Sequence, residues 1–128
     1  MVGRFTPRPL HRRGVRCTRW RFRLLVQAAC QDLPGFVRRR LHNVAVTVED
    51  VPTADIAAGG APLGYYQGTP IGYRGPSYTM AMPDKITVYR QPLLAVCSSQ
   101  GELREEVRLT VLHEIGHFFG ISDEELPF

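Results

Sequence analysis

Hydrophobic positions recur along this chain with two periods, and each period predicts a different kind of element. From Arg19 to Leu33, Phe22, Leu25, Val26 and Ala29 return every three or four residues, the spacing of one helix face, and Pro34-Gly35 stops the run. Phe36 to Leu41 predicts a short second helix. Val44 to Val48 alternates apolar and smaller residues with β-branched side chains, the period of a strand. Lys85 to Tyr89 predicts another strand, because Ile86 and Val88 are two residues apart and therefore share one side of a sheet. Between these strands, Gly59 to Tyr78 holds six glycines, three prolines and four tyrosines, a loop region interrupted at most by a short strand near Leu63 to Tyr66.

The last long element is a helix expected from about Gly101 to Gly120. At about 100° per residue, Leu103, Val107, Val111, Leu112, Ile115, Phe118 and Phe119 fall in one broad apolar sector, while Glu106, His113 and His117 lie roughly opposite. Arg108 and Leu109 break this division, which predicts packing on more than one side near the start. Glu102, Glu105 and Glu106 in the first turns complement the helix dipole. The expected fold class is α+β, a single domain in which a small sheet packs against an N-terminal helix and this C-terminal helix.

The C-terminal helix also carries the chain's most specific chemistry. His113, Glu114, His117, Gly120 and Asp123 form the pattern H-E-x-x-H-x-x-G-x-x-D. Residues four apart on a helix lie one above the other, so His113 and His117 can offer two imidazoles to one metal ion. Glu114 sits about 100° further round than His113, which suits a base acting on water rather than a ligand. Gly120 falls where the helix must stop and can turn the chain back through a left-handed conformation. Asp123 is then the economical third ligand, with Glu124 the local runner-up; His11 and His42 lie far upstream, out of helical spacing with the pair. Two imidazoles, one carboxylate and an open position describe a catalytic zinc site rather than a structural one. Only eleven residues follow His117, too few for a third ligand on a further helix.

The segment from Phe22 to Leu126 resembles the bacterial minimal zincin metallopeptidase-like family. The likeness is carried above all by Asn43-Val44-Ala45-Val46, Pro83-Asp84-Lys85-Ile86-Thr87-Val88-Tyr89, Glu102 to Val107, and His113 to Glu124. In its ligand set the chain is also similar to snapalysins, which use aspartate as third ligand. It differs from the larger metzincins, which have a third histidine where Asp123 stands and a methionine after the motif; here Met80 and Met82 are both upstream. The resemblance implies a compact zincin-like domain in which His113, His117 and Asp123 bind Zn2+ and Glu114 is the catalytic base of a zinc metallopeptidase acting on peptide or protein substrates. The alternative is a zincin-fold module that binds peptides without cutting them. A carboxylate in place of a neutral imidazole makes the metal a weaker Lewis acid, which predicts an activity optimum at neutral or mildly alkaline pH.

Composition refines this picture. With 128 residues and 44% hydrophobic content, the chain suits one core and one domain. The formal charge of +4 is unevenly spread: the first 23 residues hold eight arginines and no acid, and the remainder is net acidic. Residues 1 to 20 are accordingly expected to be a basic arm, flexible and solvated, ahead of a domain from 21 to 128. Contact between that arm and nucleic acid is a lesser expectation, which the acidic body opposes. The leader has no apolar run of signal-peptide length and no stretch approaches a membrane span, so a cytoplasmic protein without membrane contact is expected. Cys17, Cys30 and Cys97 are odd in number and lack metal-type spacing, which argues against a disulfide framework or a cysteine zinc site.

Overall fold

A computed structural model describes residues 14–60, 62–78 and 82–126. Among these residues three strands form one mixed sheet in the order β1-β3-β2, with β1 at Val44–Glu49, β2 at Gly64–Gln67 and β3 at Asp84–Tyr89. β1 runs parallel to β3 with Val44 opposite Asp84, and β2 runs antiparallel with Gly64 opposite Val88. The central strand is the most buried because it is covered on both faces: Ile86 and Val88 point toward the helices, and Thr87 and Tyr89 toward the opposite side.

Two helices cover the apolar face. Helix α1, Arg19–Gln31, begins at Thr18, whose hydroxyl accepts from the Arg21 backbone N–H, and it turns Phe22, Val26 and Ala29 into the core. The long final helix, α5 at Gln100–Phe118, begins at Ser99, whose hydroxyl accepts from the Glu102 N–H, and it packs against α1, β2 and β3. Its buried residues continue from Leu103 and Val107 into an unbroken run from His113 to Phe118. The side bearing the two histidines is therefore sealed as well as the apolar side. The expected packing on several sides occurs at the end of the helix, where the sheet edge and the returning chain meet it, rather than at its start.

Among the described residues there are three further, short helices. The second helix, α2, spans Gly35–Arg38, shorter and earlier than expected. Helix α3, Ala54–Ala57, and helix α4, Arg90–Val96, were not expected. Pro92 obscures α4 in the sequence, yet it falls in the first turn, where a helical N–H has no partner to lose. A 3-10 turn at Ile71–Tyr73 lies in the glycine- and tyrosine-rich region, and the short strand expected at 63–66 forms as β2.

Of the expected basic arm, residues 1–13 lie outside the described residues. Residues 14–18 lie against the body: the Val15 N–H donates to Leu94 O at 3.1 Å, and Arg90 donates through Nε and Nη2 to the Cys17 carbonyl at 2.9 and 2.7 Å. Cys17 and Cys97 are buried among apolar neighbours. No helix among the described residues is long and apolar enough to cross a membrane.

Candidate metal centre

The site assembles at the end of α5 because the helix stops there and the chain reverses. Gly120 takes φ +86°, and the Gly120 and Ile121 N–H groups donate to the carbonyls of His117 and Gly116, both at 2.9 Å, a Schellman-type closure. The next residues come back beneath the last turn. There the carboxylate of Asp123 reaches both rings, with Oδ1 2.7 Å from Nε2 of His113 and 2.9 Å from Nε2 of His117. The two rings lie edge to face with centroids 4.8 Å apart. Both histidines are buried, whereas Asp123 is 57% exposed and forms the open side of the group.

One backbone contact selects the chemistry of His117. Its Nδ1 lies 2.9 Å from the carbonyl of Ile121. A carbonyl can only accept, so Nδ1 carries the proton and Nε2 presents a lone pair. Among the described residues that Nε2 is buried and has no hydrogen-bond partner, although the Asp123 oxygen lies 2.9 Å away. A buried lone pair without a donor fits a cation.

Glu114 stands next to this group and is fully buried, and among the described residues neither carboxylate oxygen is hydrogen-bonded. Burial, reinforced by the negative charge of Asp123, pushes its carboxyl up to about 8. Donor atoms of His113, Glu114 and His117 all lie within 4.8 Å of one another, a group able to hold a metal ion. Glu114 also faces the sheet: a Cβ at Gly64 would come within 3.2 Å of Glu114 Cγ and 2.8 Å of Thr110 Cγ2. The absence of a side chain at Gly64 lets edge strand β2 lie directly over Glu114.

The structure thus brings His113, Glu114, His117 and Asp123 together. Glu124 is exposed, His11 is outside the described residues, and His42 is exposed with its carbonyl accepting from Arg74 Nη1 at 2.8 Å, away from the group. Sequence reading did not find the carbonyl of Ile121, because a backbone acceptor leaves no signature in residue type. Nor did it find Arg74, a lone arginine in a loop. Arg74 forms a buried ion pair with Asp84 at 3.0 Å, and its guanidinium lies over the rings of Tyr78 and Phe118, the latter adjoining His117. Tyr66 adds a hydrogen bond to Asp84, and its hydroxyl pKa is raised by burial and by that carboxylate.

Gly120 is held by more than its dihedral, because a Cβ there would lie 3.3 Å from Tyr73 Cε2. Gly120→Ala is expected to destabilise the fold by about 1–2 kcal/mol, from the left-handed backbone alone. Chemical denaturation measures this, and an unchanged midpoint would show that the turn relaxes into another conformation.

A family model for zincin-like metallopeptidases matches residues 41–127, more than half of the chain and all four residues of the group. The chain belongs to the zincin-like metallopeptidase family. It is similar in structure to a conserved hypothetical protein from Thermus thermophilus, with a TM-score of 0.55 and 26% identity over 80% of this chain and 94% of that one. Comparison with curated proteins finds no match.

Proposed function

We propose that this protein is a zinc-dependent metallopeptidase in which His113, His117 and Asp123 hold the metal and Glu114 is the general base. The reading rests chiefly on Glu114, a fully buried carboxylate with no hydrogen bond to either oxygen among the described residues, set beside two histidines that converge on one carboxylate oxygen. A fold that keeps such a group unpaired bears a desolvation cost, which a catalytic role explains.

Bound zinc would supply Lewis acidity and lower the pKa of a water toward 7. Glu114 takes a proton from the attacking water and passes it to the leaving amine. His117 keeps Nε2 unprotonated through its bond to Ile121. Asp123, on the exposed side, closes the ligand set and marks the side from which substrate approaches. The outer edge of β2, unpaired among the described residues and lying over Glu114, offers backbone groups for an extended substrate to pair with by strand addition. Tyr73, exposed and against Gly120, is placed to contact substrate, whereas Tyr66 is buried in the core and cannot line a cleft.

Metal content and product analysis with a peptide mixture test the reading together. Purified protein is expected to hold about one zinc per chain and to release defined fragments from the mixture; intact peptides from zinc-loaded protein would leave only a binding role. Asp123→Ala should weaken metal binding by more than the 10–100-fold (approximately) that an outer-shell partner costs, as read by competition with a chelator. Unaltered affinity would remove Asp123 from the ligand set. The pH–rate profile should peak at neutral or mildly alkaline pH, and an acid optimum with the metal retained would contradict a carboxylate ligand.

A further inference from the structure

We propose that the groove between α1 and the outer edge of β1 binds an extended, acidic peptide segment by strand addition, at the opposite edge of the sheet from the metal centre. Among the described residues β1 pairs only with β3, so the backbone groups on its other side are unpaired. Sheet edges are commonly protected by lysine, proline or a bulge. The body of β1 is Val44-Ala45-Val46-Thr47-Val48, with none of these residues and no break in its register.

The groove beside this edge has the character of a side-chain receptor. It has a volume of about 610 Å³ and is lined by Trp20, Arg23, Leu24 and Gln27 of α1 and by Val46 and Val48 of β1, among others. Val46 and Val48 are only half-buried, although they share the sheet face on which Ile86 and Val88 are fully sealed. Trp20 is 71% exposed, and Leu24 lies one turn further along the same helix. An added strand would align its backbone with β1 and lay alternate apolar side chains against these residues.

Charge selects the occupant. Arg23 of α1 is the charged residue of the groove lining, and exposed Arg21 on the same helix and exposed Arg38, Arg39 and Arg40, at the end of α2 and just after it, add positive charge to the elements that flank β1 in the chain. The nearby Asp50 is already engaged by Arg19 and Arg90, which leaves Asp32 and Glu49 as acids against this set. A second copy of the chain would bring the same arginines face to face. A nucleic acid would use the arginines but not the row of amide and carbonyl groups or the valines. An acidic strand uses all three features. It also gives a role to part of the arginine-rich N-terminal sequence that the metal centre does not use.

Trp20 is the single tryptophan, so its emission reports occupancy of this groove in the full chain. Titration with a terminally blocked peptide of alternating glutamate and valine is expected to shift the emission to the blue with saturation. The corresponding lysine–valine peptide should bind about tenfold more weakly, as should the glutamate peptide to Arg23→Glu. N-methylation of alternate amides should abolish binding. Arg23 is exposed, so its replacement should leave the far-ultraviolet spectrum unchanged, and Leu24→Lys supplies a second groove variant with the same expectation of weakened binding. The proposal is overturned by any of four results. These are an unmoved emission, equal affinity for the lysine peptide, a blue shift that grows with protein concentration alone, or tighter binding of a single-stranded oligonucleotide insensitive to Leu24→Lys. A peptide held only at the metal centre would leave Trp20 unmoved, so the two sites are distinguished.

Discussion

Glu114→Gln is expected to lower peptide hydrolysis by about 10²–10⁴-fold while the protein retains its metal. Glutamine keeps the size and burial of the side chain but cannot take a proton from water. The carboxylate lies within 4.8 Å of the donor atoms of both histidines, near enough that it must be decided whether it is a base or a ligand. Metal analysis of the variant decides it. Retained metal with lost turnover assigns the base, whereas loss of metal would place Glu114 in the coordination sphere and refute the proposed division of roles. The substitution should also stabilise the fold slightly or leave it unchanged, because it removes a carboxyl that burial disfavours in its charged form.

The largest loss of stability is expected at Asp84. Its carboxylate meets Arg74 at 3.0 Å with both side chains nearly buried, and it also accepts from Tyr66. Asp84→Ala leaves the guanidinium of Arg74 in the interior without its counter-charge, which costs about 3–5 kcal/mol. Replacing Arg74 by methionine in the same chain should recover much of that loss, because an apolar side chain of similar length carries no charge to strand. Urea denaturation of the two single variants and the double variant measures the coupling. A cost below about 1 kcal/mol for Asp84→Ala would mean that water reaches the pair and that it behaves as a surface contact. Since Arg74 lies over Phe118, beside His117, the Asp84 variant should also bind metal less tightly.

The sequence carried the parts of this structure that depend on near neighbours. The period of Phe22, Val26 and Ala29 located α1, alternation located β1 and β3, and the spacing of His113, Glu114, His117 and Asp123 brought those four side chains together within eleven residues. Helix stop and chain reversal are local events, so Gly120 was legible too. What escaped depends on distant partners. α3 is a single turn with too few residues to show a period, and α4 is masked by Pro92 and by following a strand directly. The burial of the histidine side of α5 comes from β2 and from the returning chain, neither of which affects periodicity within the helix. The contact of Gly64 with Glu114 joins residues fifty positions apart, and a glycine in a glycine-rich stretch does not announce which of its neighbours needs the space.

The parallel pairing of β1 with β3 leaves about three dozen residues to cross from one strand to the next, and that crossover contains both β2 and the region anchored by Arg74. Closing a connection twice as long costs only about 0.6 kcal/mol more. As long as Arg74 still meets Asp84, evolution is therefore free to lengthen or shorten the tract beyond β2 at small thermodynamic expense, while the strands and the last helix stay in register. Diversity among descendants of such a scaffold would accumulate in this tract, which borders the metal group, so changes in preference would come from exchanged loops and not from altered ligands.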